Sequence, residues 1–443
     1  MERLSDNARL AMVYQALVHR RHGIITTLLE ETEHPAARGL FVFNALMVDL
    51  KALMIDPSRA GRKTVASDRA GLAGSGAAFD RASALWASFG EAIERYCAAD
   101  YFDDQLCIAS EAELGAAAVG LDQFILFAPD QYDAPDFEYA RPDPALARAW
   151  CPAVDLSQME AETYVPAQLV YLGMRVKHKH EIVAQSCSTG LACGMDEERA
   201  ILSGLCEVIE RDSFAALWQM RYQPRILRPT DECMARLLPG VRHALQESPL
   251  EMRLWDISSD IGLPVVLCLA RSKTDGTMSV GASANLSVEQ AINKAVVEAL
   301  HGYVWGSSIR TAQTPLPERE AVKNPSDHFA YFLDPARHAT LDFLFGNAEV
   351  ILSSDPSLHQ FDSRAQLVAR LGAMGYRTLA VDVTTGDIAT LGFYVVRVLV
   401  PGLQPLLFGD GLISHDERRL RRIAAFWGMA SVPAPNPDPH PFP

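Results

Sequence analysis

The feature that most constrains this chain is a motif that it repeats on itself. FGEAIERY at 89–96 and LCEVIERD at 205–212 share Glu-x-Ile-Glu-Arg in one frame. EQAINKAVVEALHGYVW at 289–305 aligns with ERAILSGLCEVIERDSFAALW from Glu198, so that Glu298 falls where Glu207 does. All three stretches carry an alanine seven residues before the key glutamate, at Ala84, Ala200 and Ala291. On a helical wheel Leu85, Phe89 and Ile93 form one stripe and Glu91 and Glu94 another; Ile201, Leu205 and Ile209 separate likewise from Glu207 and Glu210. Each helix thus presents two carboxylates with Arg95 or Arg211 beside them.

One such helix alone reads as a solvated face. Recurrence in frame points instead to helices that face one another and gather four carboxylates and two guanidiniums. That group repels itself severely unless divalent cations stand between the acids. Magnesium then bridges to phosphate oxygens, and the arginines clamp them. Both acid pairs follow small-residue stretches, GLAGSGAA at 71–78 and STGLACG at 188–194, which read as loops that let backbone approach a ligand at a helix start. Neither is a P-loop, since no Gly-Lys-Ser/Thr follows.

Around these motifs the pattern is a mixed α/β one, with sheets and helices in layers. Residues 1–60 read as a helical N-terminal segment, a candidate docking surface for a partner, because MVYQALVHRRHGIITTLLEE and GLFVFNALMVDLKALM space their apolar residues three and four apart. Residues 61–425 read as the catalytic domain, with strands at VVLCLA (265–270), TLAVDV (378–383) and FYVVRVLV (393–400). TAQTPLPEREAVKNPSDH at 311–328 is polar with three prolines and reads as a surface connection or mobile loop. Residues 426–443 form a tail whose VPAPNPDPHPFP excludes a helix and favours an extended conformation.

Forty basic against 55 acidic residues leave a formal charge of −15, which disfavours a general nucleic-acid or anionic-membrane surface. The opening MERLSDNARLAMVYQ lacks the apolar run of a secretion signal, and a cytoplasmic location is expected. Eight cysteines without a Cys-x-x-Cys pair read mostly as small buried hydrophobes rather than as a zinc site.

At these residues the chain resembles the YcaO family, whose members show a small-residue loop, an alanine-containing helix and Glu-x-x-Glu-Arg at two places. The resemblance runs from about Gly71 to Pro443 and is nearest to the stand-alone D subunits of azole-forming peptide synthetases, through VPAQLVYL (165–172), LCEVIERDSFAALW (205–218), DVTTGD (382–387), VVRVLVPGLQPL (395–406) and the final HPFP. It implies an ATP site with Mg2+ held by Glu91, Glu94, Glu207 and Glu210, Arg95 and Arg211 near phosphates, and Glu298 as a further nucleotide-site residue. It also implies that the terminal carboxylate, here that of Pro443, reaches the active site and aids proton transfer. The implied activity is an ATP-dependent cyclodehydratase that forms thiazoline or oxazoline rings from Cys, Ser or Thr of a ribosomal precursor peptide. The implied partners are that peptide, an E1-like or leader-binding C subunit and an FMN-dependent dehydrogenase B subunit, assembled in a synthetase complex. A thioamide-forming member and a non-catalytic accessory subunit are the rival readings.

Two positions depart from the family pattern. Gly194-Met195-Asp196-Glu197-Glu198-Arg199 stands where Gly-Asn-Thr-x-x-Glu is usual, leaving Asp196 or Glu198 to compensate by a shift of register. His301 stands where a Gln is expected, and as a lone histidine it reads as an ordinary helix residue.

Overall fold

The computed structural model describes residues 6–49, 63–64, 73–158, 162–358, 361–414 and 416–442. Three larger sheets organise it, and each leads into one copy of the motif. The first is antiparallel, in the order β1 (Ile25–Glu30), β2 (Phe41–Met47), β3 (Ala73–Ala78). The second contains β4 (Cys107–Ala109), β5 (Arg148–Asp155), β6 (Thr163–Pro166), β7 (Leu191–Gly194), β13 (Leu379–Asp382) and β14 (Tyr394–Leu399), in the order β4-β5-β13-β14-β7 with β6 also on β5. The third contains β8 (Arg225–Arg228), β9 (Glu251–Asp256), β10 (Val265–Arg271), β11 (Met278–Ala284) and β12 (Val350–Leu352), in the order β11-β10-β9-β8-β12. This is the mixed α/β architecture expected, and the three anticipated strands fall at β10, β13 and β14.

Strands β3, β7 and β11 each stand at the edge of their sheet and lead into α2 (Arg81–Ala99), α3 (Glu197–Met220) and α4 (Val288–Thr311). Asp80 and Asp196 start α2 and α3 in the same way, accepting the Ser83 and Arg199 backbone N–H groups at 2.8 Å. The alanines seven residues before the key glutamates are wholly buried.

The small residues of the strands let each strand lie on its helix. A Cβ at Gly74 would stand 2.5 Å from the Ala92 nitrogen and 2.6 Å from the Ser88 oxygen. One at Gly281 would stand 2.5 Å from the Ala299 nitrogen and 2.6 Å from the Ala295 oxygen. These contacts fall at the same offsets from Glu91 and Glu298, so the repetition in sequence is a repetition of a packed strand–helix unit. The stretches read as loops are therefore largely strands, while Gly71 and Leu72 lie outside the described residues. Their glycines serve the close approach of strand to helix.

Among the described residues, the α-helical reading of 1–60 holds only for α1 (Asp6–Leu17). The chain turns through His19-Arg20-Arg21-His22-Gly23, where a Cβ on Gly23 would lie 2.3 Å from the His19 nitrogen, and continues as β1. GLFVFNALM forms β2, which buries Phe43, Ala45 and Met47 at a period of two between β1 and β3. Residues 50–54 of that stretch lie outside the described residues.

The segment 311–328 is a surface connection over its first part, where 311–321 are mostly exposed, but it does not stay one: Val322 and His328 are buried, and the segment closes as α5 (Pro325–Tyr331). The apolar stripes of the motif helices are buried as read, Leu85, Phe89 and Ile93 on one side and Ile201, Leu205 and Ile209 on the other. The eight cysteines are free thiols. Among the described residues no helix is long and apolar enough to cross a membrane.

Candidate active site

The polar faces of α2, α3 and α4 line one cavity of about 1680 Å3. Glu91, Glu94, Arg95, Glu207, Glu210, Arg211 and Glu298 all face it, so every described residue singled out by the motif is brought together there. Pro443 lies outside the described residues, and Phe442, the residue before it, faces the same cavity.

Backbone amides pin the four motif carboxylates in a regular way. The first glutamate of each pair is held by its own unit: Ser75 N–H of β3 donates to Glu91 at 2.5 Å, and Gly190 N–H, just before β7, donates to Glu207 at 3.2 Å. The second is held by the following unit: Cys193 N–H of β7 donates to Glu94 at 2.7 Å, and Ala284 N–H of β11 donates to Glu210 at 3.3 Å. The three sheet edges thus meet at the cavity and spend amide donors on carboxylates.

The third unit closes the ring with a different residue type. His301 stands three residues after Glu298, where the other units have their second glutamate, and its Nε2 lies 2.8 Å from Ser75 Oγ on β3. Ser75 Oγ donates to Asn44 Oδ1 at 2.7 Å, so His301 donates from Nε2 in this network, and Asn44 Nδ2 passes on to Glu31 at 2.8 Å. Burial lowers the His301 pKa and keeps the ring neutral. The reading of His301 as an ordinary helix residue missed this contact; its register with Glu94 and Glu210 was the available signal.

Electrostatically the floor is short of cations. Burial, helped by the nearby Glu207 and Glu91 against the Cys193 amide, pushes Glu94 up to about 8. Burial likewise pushes Glu210 up to about 8, with Arg211 opposing and Glu298 adding. Glu298 is raised by burial too. Lys294, which sequence reasoning did not single out, lies 3.7 Å from Glu298 one turn earlier on α4. Burial alone would lower its pKa, but Glu298, Glu210 and Glu207 outweigh it and keep the ammonium charged. Its burial is within the cavity, since 52% of the side chain remains open to cavity water.

The two arginines differ. Arg95 is committed to Glu91, at 2.5 Å through Nη2 and 3.2 Å through Nε. Arg211 lies 3.6 Å from Glu207 and 3.7 Å from Glu210, and its buried Nη1 has no hydrogen-bond partner. A buried guanidinium nitrogen without a partner is costly, and an anionic oxygen in the cavity would satisfy it.

Among the described residues no three His, Cys, Asp or Glu side chains converge to cage a metal. Mg2+ characteristically takes one or two carboxylates and completes its shell with phosphate oxygens and water. Amide-pinned carboxylates beside a guanidinium whose Nη1 lacks a hydrogen-bond partner fit a magnesium–phosphate ligand of that kind. Asp196 and Glu198 do not contribute: the first caps α3 at the surface and the second pairs with Arg364 at 2.6 Å.

The tail is strapped over α3 toward this floor. Trp218 Nε1 donates to the Asp438 carbonyl at 2.8 Å, Arg319 reaches Asp438 Oδ1 at 3.0 Å, and Arg221 reaches Asn436 at 2.9 Å. His328 takes the Gly409 N–H on Nε2 at 2.7 Å and donates from Nδ1 to the His440 carbonyl at 3.0 Å. Phe442 ends the strap, 2% exposed, against Phe214 and beneath Arg211, whose guanidinium carbon is 4.0 Å from the ring centroid.

Residues 74–404 match the family model described as YcaO cyclodehydratase, ATP- and Mg2+-binding. An uncharacterised protein of Methanothermobacter thermautotrophicus is 26% identical over 334 residues, covering 73% of this chain and 78% of the relative. An uncharacterised Rhizobium leguminosarum bv. trifolii protein is 27% identical over 199 residues, 44% of each. Among solved structures, a heterocyclase in complex with substrate and cofactor superposes with a TM-score of 0.76 at 23% identity, over 99% of this chain and 57% of that one. YcaO from Methanopyrus kandleri, bound with AMPPCP and Mg2+, superposes with a TM-score of 0.61 at 20% identity, over 90% and 92% of the two chains. At these identities the structural likeness is one of fold.

Proposed function

The chain belongs to the YcaO cyclodehydratase family, and from that premise we propose that it is the ATP-dependent subunit that closes thiazoline or oxazoline rings in a ribosomal precursor peptide. The observation that carries this reading is the ring of amide-pinned carboxylates from α2 and α3, with Arg211 beside them in one cavity and its Nη1 without a hydrogen-bond partner. Glu91, Glu94, Glu207 and Glu210 would hold Mg2+, which neutralises charge during phosphoryl transfer. Arg95, Arg211 and Glu298 complete the nucleotide site.

In the proposed reaction a Cys, Ser or Thr side chain of the peptide attacks the preceding carbonyl carbon. Its proton passes to a base, assigned here to the Pro443 carboxylate. The resulting oxyanion takes the γ-phosphoryl group of ATP and releases ADP. The former amide nitrogen then loses its proton, a C=N bond forms and phosphate leaves, so the peptide loses the elements of one water per ring. Preorganised positive charge at the oxyanion and the phosphoryl oxygens is the main contribution such a site makes. Arg211 is the residue assigned here to supply it, a role supported by its Nη1 having no hydrogen-bond partner.

The division proposed is a partner-docking segment at 1–60, the catalytic domain at 61–425 and an active-site tail at 426–443. The proposed partners are the precursor peptide, an E1-like or leader-binding C subunit and an FMN-dependent dehydrogenase B subunit. The test is intact mass spectrometry of a candidate precursor incubated with the full chain, its C partner and Mg2+-ATP. Successive water losses that need ATP and vanish with Glu207→Ala support the reading. Exchange of oxygen for sulfur when sulfide is supplied would reassign the chain to thioamide formation. An unchanged peptide mass with verified partners would reduce it to an accessory subunit.

A further inference from the structure

Arg397 of β14 is 2% exposed and donates to three backbone carbonyls: Val170 at 3.0 Å, Thr189 at 2.5 Å and Cys187 at 2.6 Å. No ion pair joins it to a carboxylate among the described residues. Burial lowers its affinity for its proton, as expected for a cation held by neutral partners. An apolar side chain would fill this space without burying a charge, so the reason for a guanidinium lies in the segment that it grips.

That segment is the turn at 187–190, which forms part of the cavity wall. Arg397 holds its carbonyls through its side chain, and the next residue of the strand adds a backbone tie, Val398 N–H donating to the Gly190 carbonyl at 2.8 Å. Gly190 adopts φ +83°, and a Cβ on it would stand 2.2 Å from the Val398 oxygen, so this residue has little freedom to move or to be replaced. Gly204 of α3 lets the helix meet the turn, since a Cβ there would lie 2.7 Å from the Gly190 oxygen. Three residues further along the helix stands Glu207, which takes the Gly190 N–H.

We propose that Arg397 is a positioning residue for Glu207: it fixes the Cys187 and Thr189 carbonyls, and so sets the Gly190 amide that orients this carboxylate toward the cavity. It also places a buried positive charge behind the acid cluster. The inference rests on the proposed role of Glu207. Partners behind a ligating carboxylate affect metal affinity and activity although they never touch the metal.

The test uses Arg397→Lys and Arg397→Met in the full chain with its partner subunit. Arg397→Met removes both charge and donors and is the variant more prone to misfold; Arg397→Lys keeps a cation but cannot reproduce the three-way fork. The expected result for Arg397→Lys is a fall in kcat of about tenfold to a hundredfold and a raised Mg2+ concentration for half-maximal rate. The peptide KM stays within about twofold, since such a residue orients a metal ligand and leaves peptide contacts intact. A side chain that only supported the fold would lower the melting temperature and leave the Mg2+ dependence where it was. Wild-type kcat and Mg2+ dependence in Arg397→Lys overturn the proposal. Glu207→Ala, run in parallel, separates the two levels: if it still binds Mg2+-ATP normally, the proposed function itself fails, whereas if it loses binding while Arg397→Lys is unaffected, only the role of Arg397 falls.

Discussion

The acid pairs of α2 and α3 share Glu-x-Ile-Glu-Arg, and their carboxylates are pinned by the same rule, yet their arginines end in opposite states. Arg95 closes on Glu91 of its own helix at 2.5 Å. Arg211 stands farther from its neighbours, lies over the ring of Phe442 and leaves a buried nitrogen unpaired. The difference comes from what surrounds each helix. At α3 the C-terminal tail takes up one face of the guanidinium, and the buried Nη1 is left without a hydrogen-bond partner. The shared motif therefore sets where the carboxylates go, while the tail decides which arginine is free to meet an anion. On this account α2 is a self-satisfied wall of the site and α3 is its reactive wall.

Four measurements would break or sharpen that contrast. The largest effect is expected where the walls agree: Glu207→Ala and Glu91→Gln should each lower turnover by about a thousandfold or more, on the scale of losing a principal charge-stabilising group. Near-native rates in either would remove that residue from the metal site. Next come the arginines, where the walls differ. Arg211→Lys should cost about a hundredfold in kcat and Arg95→Lys about tenfold, because the Arg211 Nη1 has no hydrogen-bond partner whereas Arg95 is bonded twice to Glu91; equal losses in steady-state assays would erase the distinction.

Phe442→Ala should then bring Arg211 part of the way toward the state of Arg95. Losing the cation–π contact, about 1 kcal/mol, predicts a rate loss of about fivefold. Phe442 is also buried in the main apolar cluster, so the melting temperature should fall as well. An unchanged rate in the folded variant would show that the ring does not hold Arg211 in its working position. The smallest effect is a pH slope from the residue that ties the strap down. Burial holds His328 at about 4, below its unfolded value of about 6.5. The unfolded chain therefore binds more protons between these values, and stability should fall as the pH drops from about 6.5 to about 4, by at most about 1.4 kcal/mol per pH unit. Urea titrations across that window should show a shallower slope for His328→Gln than for the wild type.

How much of this was legible beforehand follows from the range over which each feature is decided. The convergence of the motif acids was readable because repetition in frame is local, as were the buried stripes at Leu85, Phe89 and Ile93. The amide pinning was not, since Cys193 reaches Glu94 and Ala284 reaches Glu210 only after three sheets have brought their edges together. Strands β3 and β7 looked like loops because Gly, Ser and Ala have weak strand preference. Their extended form is imposed by packing, with Gly74 against α2 as the example. Strand β2 looked helical because VFNALM satisfies three- and four-residue spacing as readily as alternation. Lys294 was overlooked and His301 was given no role because they differ in type from the residues of the first two copies, although both line the cavity with Glu298.

The most direct test of the central claim is calorimetric titration of ATP into the full chain with and without Mg2+, repeated on Glu207→Ala and Arg211→Lys. The account predicts saturable binding that requires Mg2+, vanishes in Glu207→Ala and weakens in Arg211→Lys. Binding of equal strength in the presence of a chelator, or undiminished in Glu207→Ala, would contradict it.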